Sequence, residues 1–311
     1  MKLRLTFLRL FAPLALLILL GAYLYVTSKT QASRSQVEAS ERLNVGLGAG
    51  VLDRRLLVLV RDLRLLAGDS LLHRFINSGR VTDRQGVEES FLNFSRAKEV
   101  YDQVRWIDQE GQEVVRVDLA GSKPKSIQGS GLQNKGDRYY FRDTMMLAPG
   151  VLYVSPLDLN VEQKQVELPP KPVLRIATPI ANNQGEKRGI VVLNYLCSEM
   201  INYVREVTAE ISDHLMVVNN DGYFLHAPDV TDEWGFMFDK FELTLANRYP
   251  ASWKRLHAAD QGQFQDENGL WTFATIYPLK TGTAHKSDAE SGLRVDAPQQ
   301  RWQVVAFLPP E

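Results

Sequence analysis

The stretch "YDQVRWIDQEGQEVVRVD", Tyr101 to Asp118, decides how the rest of the chain is read. Two β-prone runs flank Asp108–Gly111, with Gly at the turn, which predicts an antiparallel hairpin. The pattern returns twice. "VLRIATPIANNQGEKRGIVVLNY" (Val173 to Tyr195) turns at Asn182–Gly185, and "DHLMVVNNDGYFLHAPD" (Asp213 to Asp229) turns around Asn219–Gly222. Each turn carries the Asn, Asp and Gly residues that tolerate positive φ.

These hairpins belong to an internal duplication. "WIDQEGQEV" (Trp106 to Val114) aligns with "VVNNDGYFL" (Val217 to Leu225), Gly111 over Gly222. Downstream, "RIATPI" (Arg175 to Ile180) aligns with "ATIYPL" (Ala274 to Leu279), Pro179 over Pro278. Each copy closes on an apolar strand, Gly189 to Tyr195 and Arg301 to Pro309. Glycine to proline spans 68 residues in the first copy and 56 in the second, so the first holds extra chain. Tandem antiparallel sheets flanked by helices make an α+β fold.

Upstream, Thr27 to about Ala67 reads as one long helix. Leu52, Leu56, Leu59, Leu63 and Leu66 recur at spacings of 4, 3, 4 and 3 and line one face. Gly46, Gly48 and Gly50 interrupt it and suggest a bend. A second helix is expected over Arg84 to Ala97. Before the long helix, Lys2, Arg4 and Arg9 precede Leu10–Val26, 17 residues without a charge. Such a run is near the short limit for a spanning helix, and Pro13 falls in its first turn, where a missing N–H costs least. The first acidic residue is Glu38, so the positive-inside bias keeps residues 1–9 cytoplasmic and exports the remainder. A cleaved leader would want a small-x-small site directly after the apolar run, and only a late match at Thr30 and Ala32 is present.

Composition excludes several classes. A net charge of −1 with scattered Lys and Arg gives no basic stripe for nucleic acid. Cys197 is the only cysteine, so no intrachain disulfide or multi-cysteine metal site can form. His73, His214, His226, His257 and His285 show no metal-ligand spacing. "GSGLQNKG" (Gly129 to Gly136) lacks the GK[ST] ending of a phosphate loop and reads as a lid loop. The acids of "PDVTDEWG" (Asp229, Asp232, Glu233) lack an EF-hand pattern and read as a solvated turn. Ser155 has no nucleophile elbow around it. No cofactor is implied.

The extra length of the first copy includes "RYYFRDTMMLAPGVLYVSPLDLN" (Arg138 to Asn160), where the candidate binding residues concentrate. Arg138 offers a planar fork of donors suited to a ligand carboxylate, although a surface pair with Asp137 or Asp143 would serve it equally. Tyr140 and Phe141 could wall a pocket or fill a core. Strand alternation puts Tyr153 and Ser155 on one face and Leu152 and Val154 on the other. Asp158 could hold an ammonium or hydroxyl group. Arg175, between Leu174 and Ile176 in a strand expected to be central, must meet a carboxylate from protein or ligand if buried. Arg105 in "QVRWID" is a similar case, and one of the two is expected to be structural. Asn194 on the closing strand could add a hydrogen bond.

The quoted hairpins, with "LQNKGDRYYF" and "LYVSPLDLN", resemble the double Cache (PAS-like) sensor domain of bacterial transmembrane receptors, in the subgroup fused to histidine kinases and diguanylate cyclases. The resemblance implies a stalk helix and helical segment over 27–98, a membrane-distal ligand-binding module over 99–200 and a membrane-proximal module over 201–311. It also implies a second membrane helix and a cytoplasmic output, which this chain lacks, so it reads as a sensor fragment or a truncated receptor. The family's amino-acid-binding members carry an Arg-x-Trp-Tyr signature with a later Tyr and Asp. "RYYF" sets Arg138 on the Arg, Tyr140 on the Trp and Phe141 on the following aromatic; Tyr153 and Asp158 stand for the later pair. Tyr in place of Trp leaves the ligand open among amino acids, organic acids and amines. The implied setting is the bacterial inner membrane with the bulk periplasmic, as a homodimer through the long helix. A scaffold that recognises a partner protein is the alternative, and an anchored hydrolase lacks a catalytic constellation.

Overall fold

The computed structural model describes residues 2–121, 123–162, 165–278, 295–296 and 300–310. Helix α1 (Lys2–Ala67) runs unbroken for 66 residues, about 100 Å at 1.5 Å per residue. Helices α2 (Ser70–Ser78) and α3 (Val81–Lys98) fold back beside it. α2 was not anticipated. It starts where the Asp69 side chain accepts the Leu71 N–H and ends at Gly79 in the left-handed region. α3 extends the expected 84–97 helix to Val81 and Lys98.

The first sheet is built from β1 (Tyr101–Asp108), β2 (Glu113–Ala120), β3 (Lys123–Ser126), β4 (Leu152–Val154), β5 (Asp158–Leu159), β8 (Pro172–Ala181) and β9 (Lys187–Leu196), and the small ribbon β6 (Val161–Glu162) with β7 (Gln165–Val166) lies beside it. Helix α4 (Tyr139–Met146) precedes β4, and α5 (Cys197–Val207) follows β9. The second sheet uses β10 (Leu215–Val218), β11 (Phe224–His226), β12 (Gln261–Asp266), β13 (Gly269–Ile276) and β15 (Trp302–Leu308), with α6 (Leu245–Arg248) and α7 (Pro250–His257) between β11 and β12. A last short strand, β14 (Val295–Asp296), pairs parallel with β4 and so joins the first sheet.

The duplication is visible in the topology. The first sheet runs β2-β1-β9-β8 through its middle, and the second runs β11-β10-β15-β13. These are the strands that the repeat pairs, all antiparallel; Leu279, the last residue of the second aligned segment, lies outside the described residues. Gly111 and Gly222 both sit at φ +83° in their hairpins, a backbone that other L-residues adopt only with strain. The result is α+β with two antiparallel sheets.

Both sheets rest on α1. The stripe Leu52, Leu56, Leu59, Leu63 and Leu66 is buried to 2 % exposure or less. It shares one core with Val104, Trp106, Ile176 and Leu193 of the first sheet and with Leu215, Val217 and Val304 of the second. A buried Leu contributes about 1.5–3 kcal/mol, against up to about 1 kcal/mol lost at each helical Gly. Burial therefore wins, and the helix is not interrupted at these glycines. Gly48 serves close packing instead: a Cβ there would stand 3.2 Å from Thr208 Cγ2 and 3.4 Å from Val304 Cγ1. Nearby, His214 Nε2 and the Glu41 carboxylate lie 3.2 Å apart and tie α1 to the start of β10.

At the other end of α1, Leu16 to Leu20 and Tyr23 to Val26 each expose half or more of their surface. Among the described residues no helix is long and apolar enough to cross a membrane. The acids of "PDVTDEWG" do more than meet solvent. Asp232 accepts both Arg248 Nη groups at 2.8 Å, and Glu233 pairs with His226 at 2.9 Å.

Two glycine substitutions separate propensity from close approach. Gly46 has open space where a Cβ would go, so Gly46→Ala should stabilise the protein by about 0.5–1 kcal/mol. Gly189 sits at φ +134° with Ile107 O only 2.0 Å from the same point, so Gly189→Ala should cost about 1–3 kcal/mol. Urea unfolding of both variants checks the opposite signs.

Candidate functional site

Strand alternation separates the two faces of the first sheet. Val104, Trp106, Val154, Ile176, Val191 and Leu193 face the α1 core, whereas Ile107, Tyr153, Ala177, Ile190 and Val192 pack under α4. On the α4 side, register aligns Arg116, Arg105, Val192, Ala177 and Tyr153 across β2, β1, β9, β8 and β4. The next row aligns Asp118, Gln103, Asn194 and Arg175. One side of the sheet is thus hydrocarbon and the other has buried charge at its centre.

Arg105 and Arg175 are buried, at 2 % and 3 % exposure. Uncompensated burial of a guanidinium would be prohibitive, so each must be paired. Arg105 Nη1 donates to Glu113 Oε1 at 3.2 Å and to the Tyr140 hydroxyl at 3.1 Å, and Nη2 donates to Asn194 Oδ1 at 2.7 Å. Its Nε is buried with no partner. Asn194 Nδ2 in turn donates to Gln103 Oε1 at 3.2 Å. Arg175 Nη1 donates to Asp158 Oδ1 at 2.6 Å and approaches the Tyr139 hydroxyl at 3.3 Å, while Nη2 reaches Asn160 Oδ1 at 3.4 Å. The two guanidinium carbons lie 5.4 and 5.6 Å from the centroid of the Tyr140 ring. One tyrosine therefore faces two buried cations.

The electrostatics follow from burial and these pairings. Burial opposes the charge on Arg175, but Asp158 outweighs it and pushes the pKa up. Burial also disfavours ionised Glu113, yet Arg105 and Arg116 overcome it and hold the carboxyl below its ordinary range. Burial drives the Tyr139 hydroxyl well up, and adjacent Asp158 adds to the rise. Tyr139 therefore stays protonated and donates to Asp158 Oδ2 at 2.9 Å.

The expected residues do not all meet. Arg105, Tyr140 and Asn194 form one network; Arg175 and Asp158 form a second, joined to it by the Tyr140 ring. Tyr153 shares the face, and its hydroxyl donates to Asp143 Oδ2 at 3.2 Å. Ser155 lies below the site: its Oγ accepts the Arg175 backbone N–H at 2.9 Å and donates to the Pro156 carbonyl at 2.7 Å. Arg138 precedes α4 and forms neither expected surface pair. Its Nη2 reaches the Val161 carbonyl at 3.5 Å, and its Nε is buried with no partner. The 129–136 loop is tied to the β1–β2 hairpin, where Gln133 N donates to Glu113 Oε2 and Lys135 N to the Gly111 carbonyl.

Glu113, Tyr139 and Asn160 were missed as partners. The Glu113 signal was available, because a hairpin folded about Gly111 brings Arg105 and Glu113 onto facing strands. Tyr139 needed α4 to be recognised as a helix, and Asn160 needed the path of the chain after β5.

Residues 52–286 match a family described as the sensor domain of bacterial histidine kinases. Among curated proteins no relative matches the chain. Among solved structures, a domain of a sensory box/GGDEF family protein from Vibrio parahaemolyticus is similar at 19% identity and a TM-score of 0.69, over 88% of this chain and 97% of that one. The extracellular domain of histidine kinase vpHK1S-Z8 is similar at 19% identity and a TM-score of 0.67, over 88% and 91%. The sensory domain of the Campylobacter jejuni chemoreceptor Tlp3 with isoleucine bound is similar at 10% identity and a TM-score of 0.55, over 90% and 95%. These likenesses show the fold.

Two outcomes test the charge pairing. Arg175→Ala should cost about 2–3 kcal/mol, somewhat below the loss for a fully enclosed pair because Asp158 keeps some solvent, and Arg175→Met combined with Asp158→Leu should recover most of it. Chemical denaturation of both variants measures this. Because the folded pKa of Glu113 is depressed, its contribution is complete above the unfolded value of about 4.3. It is lost as pH falls through the lower folded value. Acid titration of Glu113→Gln should show that part of the pH dependence gone.

Proposed function

Because the chain belongs to the family of bacterial histidine kinase sensor domains, we propose that it is the extracytoplasmic ligand-sensing region of a membrane signalling receptor. Its ligand is a small molecule bearing a carboxylate, held against the polar face of the first sheet. The observation that carries this reading is the pair of buried guanidiniums, Arg105 and Arg175, on either side of Tyr140, with Arg138 bringing a buried Nε that lacks a partner. A protein core gains nothing from collecting cations on one face. A ligand carboxylate does, since charge-assisted hydrogen bonds to guanidinium are strong where water is excluded.

The chemoreceptor domain solved with isoleucine uses a related fold for an amino acid. The chemistry on this face supports the same class: carboxylate on Arg138 and Arg105, apolar side chain against Tyr140 and Tyr153, ammonium toward Asp158. Asn194 and Arg175 hold the floor in place, and Ser155 acts through the Arg175 backbone.

In this reading residues 99–200 are the membrane-distal module, 201–311 the proximal module and 27–98 the stalk and helical segment. Residues 10–26 anchor the chain in the inner membrane, with 1–9 in the cytoplasm. The exposed apolar residues of α1 from Leu16 to Val26 support the anchor, and Leu43, Leu47, Leu57 and Leu65, also exposed, support a homodimer along the stalk. Ligand binding would shift the population between two arrangements of the stalk in proportion to its differential affinity for them.

Thermal-shift measurements over amino acids, organic acids and amines test the binding step. A ligand present at 100 times its dissociation constant should stabilise by about 2.7 kcal/mol. Arg138→Ala should weaken that ligand about 10- to 100-fold, as loss of a charge-assisted hydrogen bond does. A response that survives both Arg105→Ala and Arg138→Ala would place the ligand elsewhere, and no response to any compound would remove the reading.

A further inference from the structure

A second cavity, of about 510 Å³, opens between the two sheets. That volume suits a small organic molecule. Its first wall is Tyr139, Pro156, Leu157 and Asp158, from α4 and the segment after β4. Its opposite wall is the tip of the β10–β11 hairpin, with Asp221 and Tyr223, together with Phe236 and Met237. Gln300, Arg301 and Trp302 close the floor.

Four aromatic rings, Tyr139, Tyr223, Phe236 and Trp302, therefore line one space, with Tyr223 and Phe236 5.3 Å apart. The polar groups among them include the amides of Asn219, Asn220 and Gln300 and the carboxylates of Asp158 and Asp221. Gln300 Nε2 donates to the Val154 carbonyl at 3.2 Å, which fixes the amide so that Oε1 is the free end, and that oxygen is buried with no partner. Asp221 adds an exposed carboxylate at the rim. The cation in the floor is turned away. Arg301 spends its Nη groups on the carbonyls of Leu256, His257 and Ala259 at the end of α7, and on Thr275 Oγ1. Asp158 is neutralised by Arg175 on the far side.

We propose that this cleft is a second ligand site, for a small organic ammonium ion. Aromatic faces attract such a cation through their quadrupoles. The exposed Asp221 carboxylate at the rim supplies the counter-charge it needs. Asp158 and Tyr139 border this cleft and also pair with Arg175, so the two sites share one ion pair. A ligand in the cleft therefore changes affinity at the first-sheet site, and reciprocally; this coupling rests on the function proposed above, whereas the cleft itself does not.

The test uses the full chain, with choline and tetramethylammonium as probes and sodium chloride at matched ionic strength as control. Choline should raise the melting temperature in a saturable way. Phe236→Ala should abolish the rise, and Asp221→Asn, which removes the rim carboxylate, should weaken choline severalfold. Arg138→Ala should leave the response intact. A flat response to both probes, a rise matched by sodium chloride, or an unchanged choline affinity in Asp221→Asn overturns the proposal. Should Phe236→Ala fail to fold, the exposed Asp221→Asn still decides. Failure of the first-sheet site appears as a flat response to carboxylates, which is a separate readout.

Discussion

The apolar stripe of α1 is the contact on which the rest of the molecule depends. Leu52 to Leu66 bury against the first sheet, and the same helix continues past Gly48 onto Val304 and Thr208 beside the second. A strand shows its two faces to different environments because its side chains alternate. Once one face of each sheet is committed to α1, the other must be covered by short helices. α4 does this for the first sheet, and α6 with α7 for the second. The helix is thereby a common spine for both sheets.

The two covered faces are chemically unlike. Under α6 and α7 the second sheet packs Met216, Val218, Phe224, Trp271 and Val305, with Trp271 and Phe307 stacked at 4.1 Å, and its buried Arg301 and Gln303 donate to carbonyls at the end of α7. Under α4 the first sheet instead carries Arg105, Arg175, Asn194 and Gln103. Replacing such groups by hydrocarbon is often neutral or stabilising in a core. In the second sheet the buried cation is answered by carbonyls at the end of α7, whereas in the first the two arginines are answered by carboxylates and share one tyrosine ring.

Charge at that site is arranged in series. Glu113 answers Arg105, Asp158 answers Arg175, and the Tyr140 ring stands between the two cations. Asp158 also reaches the surface facing the second sheet, through Tyr139 and the cleft. The polar face of one sheet and the space between the sheets are thus connected by two side chains.

Much of this was legible in the chain itself. Period-two patterning, turn glycines and the 4-3-4-3 leucine spacing determined the hairpins, the duplication and the buried side of α1, because each is a local rule with a long run of residues to express it. Arginine between apolar neighbours in a central strand announced buried charge at Arg105 and Arg175. What only the tertiary structure decided was how that charge is answered. Glu113 follows from the hairpin about Gly111, but Asn160 depends on the path of the chain after β5 and Tyr139 lies on an unrecognised short helix. Ser155, placed by alternation beside Tyr153, proved to hold a backbone N–H instead. The continuity of α1 was decided the same way, since propensity at Gly46, Gly48 and Gly50 argues for a break while burial on two sheets outweighs it. Alternation tells which side a residue faces; it cannot tell what faces the residue, because that depends on segments folded in from elsewhere in the chain.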